Sequence, residues 1–189
     1  MNYTYLLMPS PVGQLKLVAR GERLAAILWE DDKPNRVRLG DMTLDPEKPV
    51  LIRTARQLAE YFAGTRNHFE LELDFSGTEF QKKVWQALLT IPFGETRTYS
   101  EIALQIGSTL KAVRAVGAAN GKNPISIVAP CHRVIGASGE LTGFAGGLEA
   151  KALLLELEGC QWANARKNRS ATTRKPRAKA QSPNLELPF

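Results

Sequence analysis

The sequence predicts an α+β chain, with a small N-terminal unit of sheet plus helix followed by a mainly helical unit. Three observations predict it. Apolar and polar residues alternate at period two before residue 30 and again over 69–75. Between those segments the apolar spacing changes to three and four. Beyond Ser76 helical spacing is broken by short glycine turns, one of which joins two helices as in a helix-turn-helix.

Leu15, Leu17 and Ala19 alternate with Gln14 and Lys16, and Arg23–Trp29 offers a second strand after a turn at Gly21. Asp31–Pro49, rich in charge and proline, reads as a loop. Leu51, Ala55, Leu58, Ala59 and Phe62 share a helical face that ends at Gly64. Phe69, Leu71, Leu73 and Phe75 alternate with Glu70, Glu72 and Asp74, the pattern of a half-buried strand. Ser76 with Glu79 reads as a capping box ahead of Phe80, Val84, Leu88 and Ile91 on one face. Thr98 with Glu101 reads as another, for a helix that stops near Gly107, and a further helix runs from about Leu110 to Asn120. Gly147–Glu158 is a last amphipathic helix. These elements divide the chain into units 1–75 and 76–162 and a tail, 163–189.

The 189 residues suffice for a sizeable core. Met1–Val18 is interrupted by Pro9, Pro11 and Gly13, and no apolar run is long enough to span a bilayer, so a cytoplasmic protein without membrane attachment is expected. Two cysteines, Cys131 and Cys160, and two histidines, His68 and His132, are too few for a disulfide scaffold or a structural zinc site, and neither metal nor cofactor is expected. The net charge of +6 lies wholly in the tail, where seven basic residues meet one acidic residue; residues 1–162 carry 18 of each sign. Arg97–Val134 nevertheless holds five basic residues against Glu101 alone. That bias suits a phosphate-facing surface, and equally an ordinary solvated one.

Pro130-Cys131-His132-Arg133-Val134 follows the apolar run Ile125–Val128, read as a strand, and leads into the glycine-punctuated segment Gly136–Gly147. A thiol delivered beside a histidine into flexible backbone has access to a ligand and, once deprotonated, is a strong nucleophile. With Arg114-Ala115-Val116-Gly117, Gly121-Lys122-Asn123-Pro124, Leu141–Leu148 and Glu158-Gly159 in this order and spacing, the pentapeptide resembles the acceptor motif of the O6-alkylguanine-DNA alkyltransferases. The resemblance covers most of Thr78–Gly159; residues 1–75 fit loosely, and the zinc site of some members has no cysteines here.

The resemblance implies a ribonuclease H-like N-terminal domain and a winged-helix-like DNA-binding domain. It also implies irreversible transfer of an alkyl group from O6-alkylguanine, and from O4-alkylthymine, in double-stranded DNA to Cys131, in a single turnover by a monomer. His132, polarised by Glu158, acts on the thiol through water; direct contact is disfavoured because neighbours on an extended chain diverge. Asn123 ties the recognition helix to the active-site strand. Arg114 enters the minor groove and fills the space of the flipped nucleotide, which Tyr99 helps to rotate. Ala112, Ala115 and Gly117 give the helix a small-sided face, which suits either a groove or close helix packing. The carbonyls of Cys131 and Val134 and the amide of Ala145 read the guanine, and Phe144 walls its pocket. Gly143, Gly146 and Gly147 permit close approach to the base, and space around Phe144 and Ser126 sets alkyl preference.

Other classes fit less well. A helix-turn-helix regulator needs several polar side chains for base readout. A cysteine hydrolase needs a separated Cys, His and orienting residue. A binding-only relative would lack Cys131. In the tail, Leu185, Leu187 and Phe189 alternate in an otherwise polar stretch and resemble a sliding-clamp docking peptide, with asparagine at Asn184 in place of the leading glutamine.

Overall fold

The computed structural model describes residues 2–160. The N-terminal sheet contains β1 (Tyr3–Ser10), β2 (Gly13–Arg20), β3 (Arg23–Trp29) and β4 (Met42–Leu44), in the order β3-β2-β1-β4. β1, β2 and β3 form an antiparallel meander, and β4 joins β1 in parallel, Tyr3 opposite Met42. The two strands expected from alternation are β2 and β3. β1 gave no such signal because its residues are mostly half-buried along both faces. Its prolines fall at the hairpin, where Pro9 lies opposite Gln14 and Gly13 turns the chain at φ 95°. The 31–49 segment is not all loop, since it contributes the three-residue β4. A bulge between Val18 and Ala19 lets both be buried.

Helix α1 (Pro49–Phe62) starts with Pro49 in the first turn and lies on the sheet. Its buried positions are Val50, Leu51, Thr54, Gln57, Leu58 and Tyr61; Ala59, expected inside, is exposed. The face is rotated because Gln57 has an inward partner: its side chain exchanges two hydrogen bonds with the Glu70 backbone. The expected strand over 69–75 is an extended segment rather than a strand. It meets the sheet at one bridge, Leu24 with Leu73, through Leu24 N–H to Glu72 O (2.9 Å) and Asp74 N–H to Leu24 O (2.8 Å).

Helix α2 (Glu79–Leu88) is capped by Thr78 and Gln81, not Ser76 and Glu79. Thr78 Oγ1 accepts from Gln81 N–H (3.3 Å) and Gln81 Oε1 accepts from Thr78 N–H (2.9 Å). Gly77 packs beneath Trp85 so closely that a Cβ there would lie 2.6 Å from the ring, which keeps 76–77 outside the helix. The box at Thr98 and Glu101 forms as expected, opening α3 (Tyr99–Gln105); Gly107 then turns the chain at φ 73°. The next helix is divided into a 3-10 turn, Leu110–Ala112, and α4 (Val113–Gly121). Helix α5 (Gly147–Leu157) closes the described chain.

Two cores result. One joins the sheet, α1 and Leu154 of α5 to Ile125, Ile127 and Val128. The other gathers Val84, Trp85 and Leu88 of α2, Ile102 of α3, Val116 of α4, and Cys131 with Val134. A two-residue parallel ribbon pairs β5 (Arg97–Thr98) with β6 (Val134–Ile135), whose Val134 belongs to the second core.

Candidate active site

The segment 125–128 is not a strand. It is apolar because it is wedged against the first core, and after one bridge to β3 through Ile125 it turns sharply. Val128 N–H bonds Ser126 O and Ala129 N–H bonds Ile125 O, both at 2.9 Å. Ile127 takes φ 73°, a costly conformation for a β-branched side chain. Cys131 follows on a 3-10 turn, Cys131–Arg133, which runs into β6. His132 therefore diverges from Cys131 because successive residues of a 3-10 turn point about 120° apart, not because the chain is extended.

Glu158, at the C-terminal cap of α5, is the hub of a buried polar cluster. His132 Nε2 lies 2.8 Å and Tyr61 Oη 2.7 Å from its Oε1. Arg133 donates twice, from Nε at 2.7 Å and Nη2 at 2.9 Å, and Gly94 N–H adds a bond at 3.3 Å. A charge unfavourable to the helix end is thus met by five donors. Burial pushes Glu158 up, but His132 and Arg133 outweigh it and draw it down to about 2. Burial holds His132 below its ordinary range, with Glu158 pulling the other way. The imidazole is neutral, and since a carboxylate can only accept, its hydrogen sits on Nε2. Nδ1 is left as an acceptor, buried and without a partner among the described residues.

Cys131 is 3 % exposed. Burial pushes its thiol up; hydrogen bonding from Asn123, the charges of Arg36 and Lys151, and hydrogen bonding from Ser126 act the other way. Asn123 donates from Nδ2 to Ala129 O (2.7 Å) and accepts from Ile125 N–H (3.0 Å), spanning the turn that presents the cysteine. Arg36, paired with Asp32, reaches from the N-terminal domain to Asn123 O. Lys151 is fully buried; its Nζ donates to Val134 O (2.6 Å) and Thr142 O (3.1 Å), and burial lowers it to about 8. Cys160 is also buried and pushed up to about 11 by desolvation and then by Glu158.

On the outer side, Arg114 and Ala115 of α4 are exposed, Ala112 and Gly117 half-buried. Gly117 faces the Tyr99 ring, 3.8 Å from a Cβ built there. Tyr99 Oη accepts from Thr142 Oγ1 (3.1 Å), joining α3 to the glycine-rich segment. Phe144 packs edge-on against Trp29 (5.3 Å) and His132 (6.4 Å), with Ala145 half-buried beside it. Gly146 serves Trp29 rather than a base, since a Cβ there would lie 2.5 Å from the indole. No cluster of three or more potential metal ligands occurs among the described residues.

The fold thus unites Cys131, His132, Glu158, Asn123, Val134 and Phe144 in one interior site, with Tyr99 at its rim and Arg114 outside. Sequence reasoning missed Arg133, Tyr61, Arg36, Lys151 and Trp29. A lysine inside the run Ala150–Leu155 was a legible signal; Arg36, in a charged loop, gave none.

Comparison with known proteins agrees with this architecture. The family models described as "6-O-methylguanine DNA methyltransferase, ribonuclease-like domain" and "DNA binding domain" match residues 2–75 and 79–160. A methylated-DNA–protein-cysteine methyltransferase of Mycobacterium leprae is 52% identical over 151 residues, 80% of this chain and 89% of the relative. The constitutive protein of that name from Bacillus subtilis is 46% identical, covering 84% and 96%. The crystal structure of Mycobacterium tuberculosis O6-methylguanine methyltransferase superposes with a TM-score of 0.74 at 50% identity, over 83% and 93% of the two chains. A structure of the protein from that organism in complex with DNA gives 0.74 at 49% identity, over 84% and 93%. The chain belongs to the methylated-DNA–protein-cysteine methyltransferase family.

Proposed function

We propose that this protein repairs double-stranded DNA by moving the alkyl group of O6-alkylguanine, and of O4-alkylthymine, onto Cys131, once per molecule. One observation carries the reading. The His132 Nε2 hydrogen is committed to Glu158, which leaves Nδ1 a buried, unpartnered base next to the acceptor turn. The thiol proton passes through a water to Nδ1, and the imidazolium is balanced by Glu158. Sγ forms a bond to the alkyl carbon as the carbon–O6 bond breaks, and its electron pair returns to the guanine. The base regains a ring proton, so one proton leaves Cys131 and one arrives on guanine. The thioether has no easy leaving path, so the reaction stops there.

The exposed Arg114, the small side chains of Ala112, Ala115 and Gly117, and Tyr99 at the rim support insertion through the minor groove with base flipping. The Cys131 and Val134 carbonyls and the Ala145 amide are assigned to the guanine edge; Val134 O keeps a second lone pair beside its bond from Lys151. The division into 1–75, 76–162 and a 163–189 tail, a monomeric state and a cytoplasmic location belong to the same proposal; no helix among the described residues is long and apolar enough to cross a membrane. The clamp-docking peptide Asn184–Phe189 lies outside the described residues. It is tested by anisotropy of a labelled 181–189 peptide against the clamp, with Leu187→Ala and Phe189→Ala as controls.

The central test is mass spectrometry after incubation with O6-methylguanine duplex. One methyl group per chain on Cys131 is expected, abolished in Cys131→Ser with DNA binding retained, and unchanged in Cys160→Ser. Sustained turnover, or alkylation on Cys160, overturns the proposal.

A further inference from the structure

We infer that Thr142 is the positioning residue of Tyr99, and that the bond between them couples the loop walling the pocket to the group that turns the nucleotide. The inference goes beyond the proposed alkyl transfer and rests on its assignment of Tyr99 to base flipping. Thr142 lies in the glycine-rich segment two residues before Phe144, and Tyr99 opens α3. Their hydroxyls meet at 3.1 Å, and neither hydroxyl makes another hydrogen bond among the described residues. The contact is exposed, so water competes for both groups and the bond is weak enough to yield when a base enters.

Three features place the Thr142 hydroxyl. Lys151 of α5, fully buried, donates from Nζ to Thr142 O (3.1 Å) and to Val134 O (2.6 Å). A tight turn closes the loop before it, with Gly139 N–H on Gly136 O (2.9 Å) and Gly136 N–H on Glu140 O (3.1 Å). The Thr142 methyl faces that turn, where a Cβ built on Gly136 would lie 3.6 Å from it. With the methyl of a β-branched side chain set, the direction of its hydroxyl is set as well. Tyr99 is held separately: it follows β5, which pairs with β6, and its ring faces Gly117 of α4. A circuit of contacts therefore closes at this bond, from β5 to Val134 of β6, from Val134 to Lys151, from Lys151 to Thr142 and from Thr142 to Tyr99. Removing the last link frees the tip of Tyr99 and leaves the others in place.

The experiment follows alkyl uptake on Cys131 of the full chain, from O6-methylguanine duplex and from the free base O6-benzylguanine. It compares wild type, Thr142→Val, Thr142→Ser, Tyr99→Phe and the double variant Thr142→Val with Tyr99→Phe. Thr142 is exposed, so valine keeps the shape and removes the hydroxyl without disturbing a core. Losing one neutral hydrogen bond should slow duplex repair about fivefold in Thr142→Val. Reaction with the free base, which needs no extrusion, should scarcely change. Thr142→Ser, which keeps the hydroxyl without the methyl, should recover part of the loss. In the Tyr99→Phe background the bond is already gone, so Thr142→Val should cost nothing further.

Thr142→Val that repairs duplex at the wild-type rate, or slows equally on both substrates, overturns the inference. So does a second full loss in the Tyr99→Phe background, or Thr142→Ser as slow as Thr142→Val. Tyr99→Phe that repairs duplex as fast as wild type removes Tyr99 from flipping, and the inference with it. Wild type that takes no alkyl group on Cys131 refutes the alkyl-transfer reading instead, and peptide mapping distinguishes the two failures.

Discussion

The two halves of this molecule divide scaffold from chemistry, but not cleanly. The N-terminal half is built on a regular hydrogen-bonded sheet and holds no group assigned to the reaction. The C-terminal half carries most of the irregular backbone: two 3-10 turns, a two-residue ribbon and Ile127 at positive φ, against one bulge and Asn35 at positive φ in the N-terminal half. Yet three polar side chains of the regular half end on residues of the irregular one. Tyr61 bonds Glu158, Arg36 bonds Asn123, and Trp29 bonds Ser126. A strained turn that must present one sulfur is over-determined from outside, by Trp29 and Tyr61, whose positions a sheet and a helix make rigid, and by Arg36 from the loop after β3, held there by Asp32.

The strongest challenge to that division is Glu158→Ala. It removes the partner of both His132 and Arg133 and leaves a buried guanidinium unpaired, which should destabilise the fold by about 3–5 kcal/mol. Urea denaturation measures this. The same carboxylate sets an acid limit. Its folded pKa, about 2, lies below the ordinary value of 4.5, so its contribution is present above pH 4.5 and lost as pH falls toward 2. Glu158→Gln should flatten that limb of the stability profile, and an unaltered limb would remove Glu158 from the hub.

Arg114→Ala and Tyr99→Phe probe the other side of the comparison, where groups act with no support from the sheet. Base extrusion costs a few kcal/mol, so losing part of its compensation should slow duplex repair by roughly ten- to a hundredfold. Reaction with free O6-benzylguanine, which needs no extrusion, should scarcely change. Equal losses on both substrates would mean that these residues support the pocket instead.

Tyr61→Phe sharpens the idea that the scaffold reaches into the site. One of five donors to Glu158 is lost with little change of shape, for about 1–3 kcal/mol of stability. The smallest effect separates two capping assignments: Thr78→Ala should cost about 1 kcal/mol and Ser76→Ala close to none.

Much of this was legible in the sequence, and the misreadings share a cause. β2, β3 and the Thr98–Glu101 box were readable because period and capping act locally. Cys131, His132, Glu158 and Asn123 were legible through motif and spacing, and the structure does bring them together. What failed depended on distant neighbours. Ile125–Val128 is apolar because it is enclosed, which a strand and a buried turn share. The capping box moved two residues because Trp85 needs the space at Gly77. Tyr61, Arg36 and Trp29 matter through partners 87 or more residues away, and no local pattern encodes such a partner.

The enclosure of Cys131 has a consequence of another kind. A thiol that reacts only once must survive intact until its lesion appears, among peroxides and electrophiles that consume exposed thiolates. At 3 % exposure, with burial favouring the protonated form, the sulfur is withheld from small oxidants as firmly as from solvent. Cys160, buried and likewise pushed upward, offers no competing thiolate. The same burial that makes the thiol a poor nucleophile toward solvent species thus acts as a preservative of the acceptor.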